Sequence, residues 1–238
     1  PATPVPEGDL ARLTGLRGVL DVVYNPERTG LCLCAERLGL PSESGLAMLV
    51  AQALYASELF QGRQIDDAVV PLIEREIRSQ TQNVVLIGMP GAGKTSSGRA
   101  LARALGRPFV DIDEVVATEQ GRSAAQIIRE DGEGRFREIE SEATARYGAR
   151  SGLVIACGGG VVTRPENYGP LRQNGTIVLL DRPVGQLGTE DRPVSQARGV
   201  EELAAERMPL YRAWSDVVVR CTGTPQGDAA LIRSRLGL

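Results

Sequence analysis

An α/β fold built around a parallel sheet is predicted for this chain by three observations. Apolar, strand-like runs alternate with helical patterns from residue 84 onward. One such run, Asn83-Val84-Val85-Leu86-Ile87, leads directly into Gly88-Met89-Pro90-Gly91-Ala92-Gly93-Lys94-Thr95. A helical pattern from Ser96 to Leu105 follows and is closed by Gly106. Strand, glycine-rich loop, Gly-Lys-Thr and helix in this order form the context of a phosphate-binding loop. Alternating strands and helices call for a parallel sheet with helices on both faces.

In chain order, Val19 to Tyr24 reads as a strand and Asn25-Pro26 as a turn. A helix is expected from about Thr29 to Leu38, ended by Gly39, and a second from Gly45 to Phe60, ended by Gly62. Residues 64–79 read as a further amphipathic helix. Beyond it, strands are expected at 84–87, 108–111, 153–157, 176–181 and 216–221. The helices expected between and after them cover about 94–105, 113–119, 123–130, 133–149, 165–172, 198–214 and 226–236. Right-handed crossovers then put the binding crevice at the C-terminal ends of the strands.

The loop carries its own chemistry. Its glycines let backbone N–H groups converge on phosphate oxygens with no Cβ in the way. Lys94 brings a point charge to the outer phosphates, and the Thr95 hydroxyl is placed to ligate Mg²⁺. The helix that begins there turns its positive end toward the ligand. A nucleoside triphosphate, and hence a phosphoryl transfer, is the expectation.

Composition narrows the rest. The 238 residues are 42% hydrophobic and 24% charged, ordinary values for a globular protein. The net charge of −3 gives no broad basic field for nucleic acid. No run approaches the length of a membrane span, and the N-terminus lacks the layout of a signal peptide. A chain starting at Pro1 is expected to be a fragment or a processed product. Cys32, Cys34, Cys157 and Cys221 form no C-x-x-C pair and read as reduced, cytoplasmic thiols. Cys32-x-Cys34 lies in an apolar helix, where packing is favoured over a metal half-site. The absence of histidine excludes Ser–His and Cys–His catalysis and leaves proton transfer to a carboxylate, a lysine or water.

Five further pieces bear charge or glycine near the crevice. Asp111-Ile112-Asp113 ends a strand, and alternation would put both carboxylates on one side. One would serve the Mg²⁺ shell and one an acceptor hydroxyl, although Asp113 also suits a helix N-cap. Phe136-Arg137-Glu138-Ile139-Glu140 lies on a helix, where Arg137 could pair with Glu140 in solvent. Cys157-Gly158-Gly159-Gly160 follows a strand and lets a ligand approach the backbone, or is a plain loop. Asp191-Arg192-Pro193 and Arg207-Met208-Pro209-Leu210-Tyr211 supply two more arginines, residues that are often surface charges.

In this order and at this spacing, the pieces resemble shikimate kinases over about residues 82–238. The resemblance implies a P-loop, nucleoside-monophosphate-kinase-like domain with a five-stranded parallel sheet, a mobile lid and a substrate-binding helical region. It implies transfer of the γ-phosphoryl group of ATP to the 3-hydroxyl of shikimate, with Mg²⁺ as cofactor. It implies ATP binding by Gly91, Ala92, Gly93, Lys94, Thr95 and Ser96, and an ion held by Thr95 and Asp111. Asp113 would bond the shikimate hydroxyls and accept the proton, Arg137 and Arg207 would grip the carboxylate, and Gly158, Gly159 and Gly160 would meet the ring. Arg192 would be the lid arginine that closes over the phosphates. The lid is short, and Leu187-Gly188-Thr189 stands where many members carry an arginine against adenine. Lys94, Asp113 and Arg192 are the expected catalytic groups, in a monomeric cytoplasmic kinase with no nucleic-acid or membrane partner.

About residues 10–80 resemble something else. Leu20-Asp21-Val22-Val23-Tyr24-Asn25-Pro26-x-x-Thr29, then Gly45-x-x-Met48-Leu49-x-x-Gln52-Ala53, is similar to the C-terminal end of shikimate dehydrogenases. This implies an incomplete Rossmann-like fragment in which Tyr24, Met48 and Gln52 match positions near substrate and nicotinamide. The family's catalytic Lys and Asp and its glycine-rich turn lie upstream of that stretch and are not in this sequence. Three rival readings accompany the kinase: a kinase of another polyol or sugar acid such as gluconate, a nucleotide-binding sensor, and one half of a bifunctional dehydrogenase–kinase.

Overall fold

The computed structural model describes residues 3–187 and 199–238. The chain divides into two compact units, Pro1–Thr81 and Gln82–Leu238.

In the second unit, β3 (Asn83–Ile87) is buried along its whole length and forms the middle of a five-stranded parallel sheet. Its neighbours are β5 (Val154–Ala156) and β6 (Gly175–Asp181), with β4 (Phe109–Asp111) and β7 (Val217–Arg220) at the edges. Continuous apolar runs such as Val84-Val85-Leu86-Ile87 suit strands covered on both faces. Asn83, fully buried, ties the start of the sheet together. Its side chain accepts from Leu153 N–H at 2.8 Å and donates to the Arg150 carbonyl at 2.6 Å.

Between the strands run α5 (Lys94–Leu105), α6 (Ile112–Gln120), α7 (Ala124–Gly148) and α8 (Tyr168–Gln173). The chain closes with α9 (Val200–Trp214) and α10 (Pro225–Leu236). Ser123 and Gln126 form a reciprocal capping box at the start of α7. Gly132 leaves helical geometry at φ 88°, so α7 is two helices joined at a kink, where the sequence predicts two helices. Leu101, Ile127, Ile155, Leu171, Leu179 and Leu203 are among the fully buried core side chains.

The first unit holds a short helix, α1 (Glu7–Ala11), which the sequence pattern misses. It also holds α2 (Gly30–Arg37), α3 (Leu46–Gln61) and α4 (Val69–Thr81). Its strand is shorter than expected: β1 is only Val19–Leu20, paired in parallel with β2 (Ser42–Glu43). Asp21 ends it, because one carboxylate oxygen accepts from Val23 N–H at 3.0 Å and the other from the Thr29 hydroxyl at 2.6 Å. Cys32 and Cys34 are buried in α2, as packing would have them, and all four cysteines are free. α4 buries no side chain and is held by Arg78, which pairs with Glu27, with Glu43 at 3.1 Å and with Glu74 at 2.6 Å. Among the described residues, no helix is long and apolar enough to cross a membrane.

Candidate active site

The loop after β3 is fixed from both sides. Met89 and Ala92 are buried, and Ala92 N–H donates to the Met89 carbonyl at 3.1 Å. Gly91 and Gly93 take φ of 85° and 97°, which a side chain would resist, and Gly93 caps the N-terminus of α5. Gly91, Gly93, Lys94, Thr95 and Ser96 line a cavity of about 470 Å³. Ala92 does not, because its methyl group is committed to the core and its amide to the turn. Lys94 Nζ donates to the carbonyls of Gly88 at 2.8 Å and Met89 at 3.0 Å.

Asp111 and Asp113 line the same cavity, but not by strand alternation. β4 ends at Asp111 and α6 begins at Ile112, so Asp113 is already helical. The N-cap is Asp111 rather than Asp113. Its Oδ1 accepts from the N–H groups of Asp113 at 3.0 Å and Glu114 at 3.3 Å. Its Oδ2 accepts from the Thr95 hydroxyl at 2.6 Å. Asp111 therefore fixes a helix end and the loop threonine at once.

Asp113 is open to the cavity on one side and ringed by protein on the others. That burial first, and then the charges of Glu140 and Asp111, push its carboxyl up to about 7, against the opposing pull of Lys94 and Arg137. A carboxyl that titrates near neutrality is suited to taking a proton.

Arg137 on α7 is not in solvent. It is buried, donating to Glu140 at 2.7 Å and Glu133 at 2.9 Å, and Glu140 is itself fully buried. Glu140 Oε1 and Arg137 Nε have no hydrogen-bond partner among the described residues. Buried polar atoms without partners call for an explanation, and of these two residues Arg137 lines the cavity. Arg207 on α9 is equally buried and donates to the Gly159 carbonyl at 3.1 Å, and the Tyr211 hydroxyl donates to the same oxygen. Burial raises the Tyr211 pKa, which keeps it a neutral donor.

The three glycines after β5 meet three different neighbours. A Cβ on Gly158 would fall on Glu140 Oε1 and come within 2.8 Å of Asp113 Oδ1. On Gly159 it would come within 2.6 Å of the Pro90 ring, and on Gly160 it would fall inside the Arg137 guanidinium. The run thus admits the protein's own charged groups against its backbone, and all three glycines line the cavity with Arg137 and Arg207.

Most of the expected site residues therefore converge on one cavity, while Arg192 lies outside the described residues. Sequence reasoning gave no role to Tyr211, and it placed the Arg137–Glu140 pair in solvent where the structure buries it. The i,i+4 spacing from Arg207 to Tyr211 and the i,i+3 spacing from Arg137 to Glu140 carry that signal. Among the described residues no three Asp, Glu or Cys side chains cluster as a metal cage. Mg²⁺ does not need one: it keeps several waters and takes one or two protein oxygens beside substrate phosphates. Thr95 Oγ1 and Asp111 Oδ2, held 2.6 Å apart, fit that requirement.

Residues 90–236 match the family model described as shikimate kinase. The chain is 41% identical over 151 residues to a shikimate kinase of Synechococcus sp. (strain CC9902), covering 59% of this chain and 78% of that one. It is 42% identical over 152 residues to one of Symbiobacterium thermophilum, covering 59% and 86%. The structure resembles shikimate kinase from Acinetobacter baumannii in complex with shikimate at a TM-score of 0.63 and 31% identity, covering 68% of this chain and 97% of that one. The chain belongs to the shikimate kinase family.

Proposed function

We infer how this chain divides the work of an ATP- and Mg²⁺-dependent phosphotransferase acting on shikimate. The observation that carries the reading is one cavity in which Lys94 and Thr95 of the phosphate loop meet Asp113, Arg137 and Arg207. Arg137 and Arg207 take the shikimate carboxylate, for which a guanidinium fork is the matching donor. Asp113 orients the 3-hydroxyl and accepts its proton as the new O–P bond forms and the bond to the β-phosphate oxygen breaks. The backbone of Gly158, Gly159 and Gly160 lies against the ring. Lys94, the amides of Gly91 and of Gly93 to Ser96 and the N-terminus of α5 hold the phosphates, and Arg192 closes over them. Thr95 and Asp111 would hold Mg²⁺, which supplies neutralisation of phosphate charge. A coupled assay of ADP release tests the reading: shikimate should stimulate release strongly and gluconate should not. No stimulation by shikimate refutes it.

For the first unit, we propose a fragment resembling the C-terminal end of a shikimate dehydrogenase, ahead of a kinase domain spanning 82–238. A parallel pair of two-residue strands supports this, since parallel strands belong to larger covered sheets. So do Leu20 and Val22, which are 86% and 72% exposed. This unit has no dehydrogenase activity, and shikimate-dependent reduction of NADP⁺ by the chain would overturn that. The kinase acts as a monomer, to be tested by light scattering. The unpaired cysteines support the cytoplasm as its compartment, to be tested by cell fractionation.

A further inference from the structure

Arg182 stands outside every role above. It follows the last residue of β6, at the C-terminal edge of the sheet beside the phosphate loop. Its Nη2 lies 3.5 Å from the point where a Cβ on Gly93 would be, with the hydroxyls of Ser96 and Ser97 at 3.7 Å from that point. Its Nε is buried and has no hydrogen-bond partner among the described residues. Its guanidinium bonds the Cys221 thiol, and that thiol lies 3.5 Å from the Ala92 carbonyl. A cation is thus tied against the rim of the phosphate loop with a buried donor still unused, an arrangement that calls for an anionic or polar acceptor.

The position says which part of the nucleotide supplies it. The acceptor cavity is lined by Lys94, Thr95, Asp113, Arg137 and Arg207, but not by Arg182. The γ-phosphate must face the Asp113, Arg137 and Arg207 end of that cavity, so the rest of the triphosphate runs toward Gly93 and Ser96, on the phosphate-loop side. Arg182 and Ser96 flank Gly93 on that path. We infer that Arg182 is a nucleotide-binding residue of this kinase and holds the α-phosphate of ATP. It needs no lid residue to do so, because its position is set by β6 and by Cys221.

The inference rests on ATP-dependent activity, so the wild-type chain serves as the control for that reading. Arg182→Ala and Arg182→Lys are assayed for KM of both substrates and for inhibition by ADP, AMP and adenosine. Loss of a charge-assisted contact should raise KM for ATP about 10- to 100-fold in Arg182→Ala, with KM for shikimate unchanged. ADP and AMP should weaken in parallel and adenosine should not, and Arg182→Lys should recover most of the loss. An unchanged KM for ATP overturns the inference. Equal weakening of adenosine also overturns it, by pointing to the base instead of the phosphate. An equal rise in both KM values with a lowered melting temperature overturns it as well, by making Arg182 a structural prop.

Discussion

Gly160→Ala tests the substrate grip through the packing of Arg137 against the Gly160 backbone. Gly160 has φ −99° and ψ −1°, a conformation open to any residue, so the backbone does not demand glycine. The demand comes from Arg137, whose guanidinium occupies the place of a Cβ. A methyl group there forces the guanidinium back by roughly 1 Å or more to restore van der Waals contact. That retreat breaks the alignment set by the 2.7 Å bond to Glu140. Losing one charge-assisted contact of about 1.5–3 kcal/mol corresponds to a rise of roughly 10- to 150-fold in KM for shikimate. The assay is ADP release under shikimate titration, with a melting curve to confirm folding, repeated in an Arg137→Ala background. With the guanidinium already gone, Gly160→Ala should add less than about twofold. A normal KM in the single variant, or the same factor in both backgrounds, refutes the reasoning.

Lys94→Ala should lower kcat by roughly 10²- to 10³-fold and change KM for shikimate far less, because a charge clamp on the transferred group is lost. Asp113 titrates near 7, so kcat/KM should climb with pH through about 7 and level above it. The folded state holds that proton more tightly than the unfolded chain, so its stabilising effect is present below pH 3.8 and lost as pH rises through about 7. Asp113→Asn should therefore be inactive, melt above wild type at pH 8 and match it at pH 3.5, as calorimetry can check. Asp228 is fully buried and accepts from Ser97 Oγ at 2.8 Å, Thr222 N–H at 2.6 Å and Thr222 Oγ1 at 2.8 Å. Asp228→Ala strands three donors, so a loss of about 3 kcal/mol and a fall of roughly 6–12 °C in Tm are expected.

The sheet and its helices were legible because continuous apolar strands and a glycine loop are local signals, and shikimate kinase spacing ordered them. What stayed hidden was non-local. Asp111 and Asp113 were paired for the wrong reason, since nothing in Asp-Ile-Asp says that the strand stops after its first carboxylate. The triple glycine read as room for a ligand, and its spacing gave no sign that Glu140, Asp113, Pro90 and Arg137 also pack against it from other elements. Val19 to Tyr24 has the composition of a long strand, yet the Asp21 side chain offers the backbone a competing turn. Arg182 carried no motif at all, and only the fold brings it beside Gly93.

Lys94 is bound to the loop that presents it, through the carbonyls of Gly88 and Met89. Those contacts act as an internal counter-ligand that keeps the glycine-rich turn from collapsing or wandering. Capture of ATP is then an exchange of partners by one ammonium group, not the folding of a loop around the incoming phosphates. The chain bears the ordering entropy during its own folding, so little of the nucleotide's binding energy is consumed by it. The phosphate loop itself should accordingly add no slow phase to nucleotide binding.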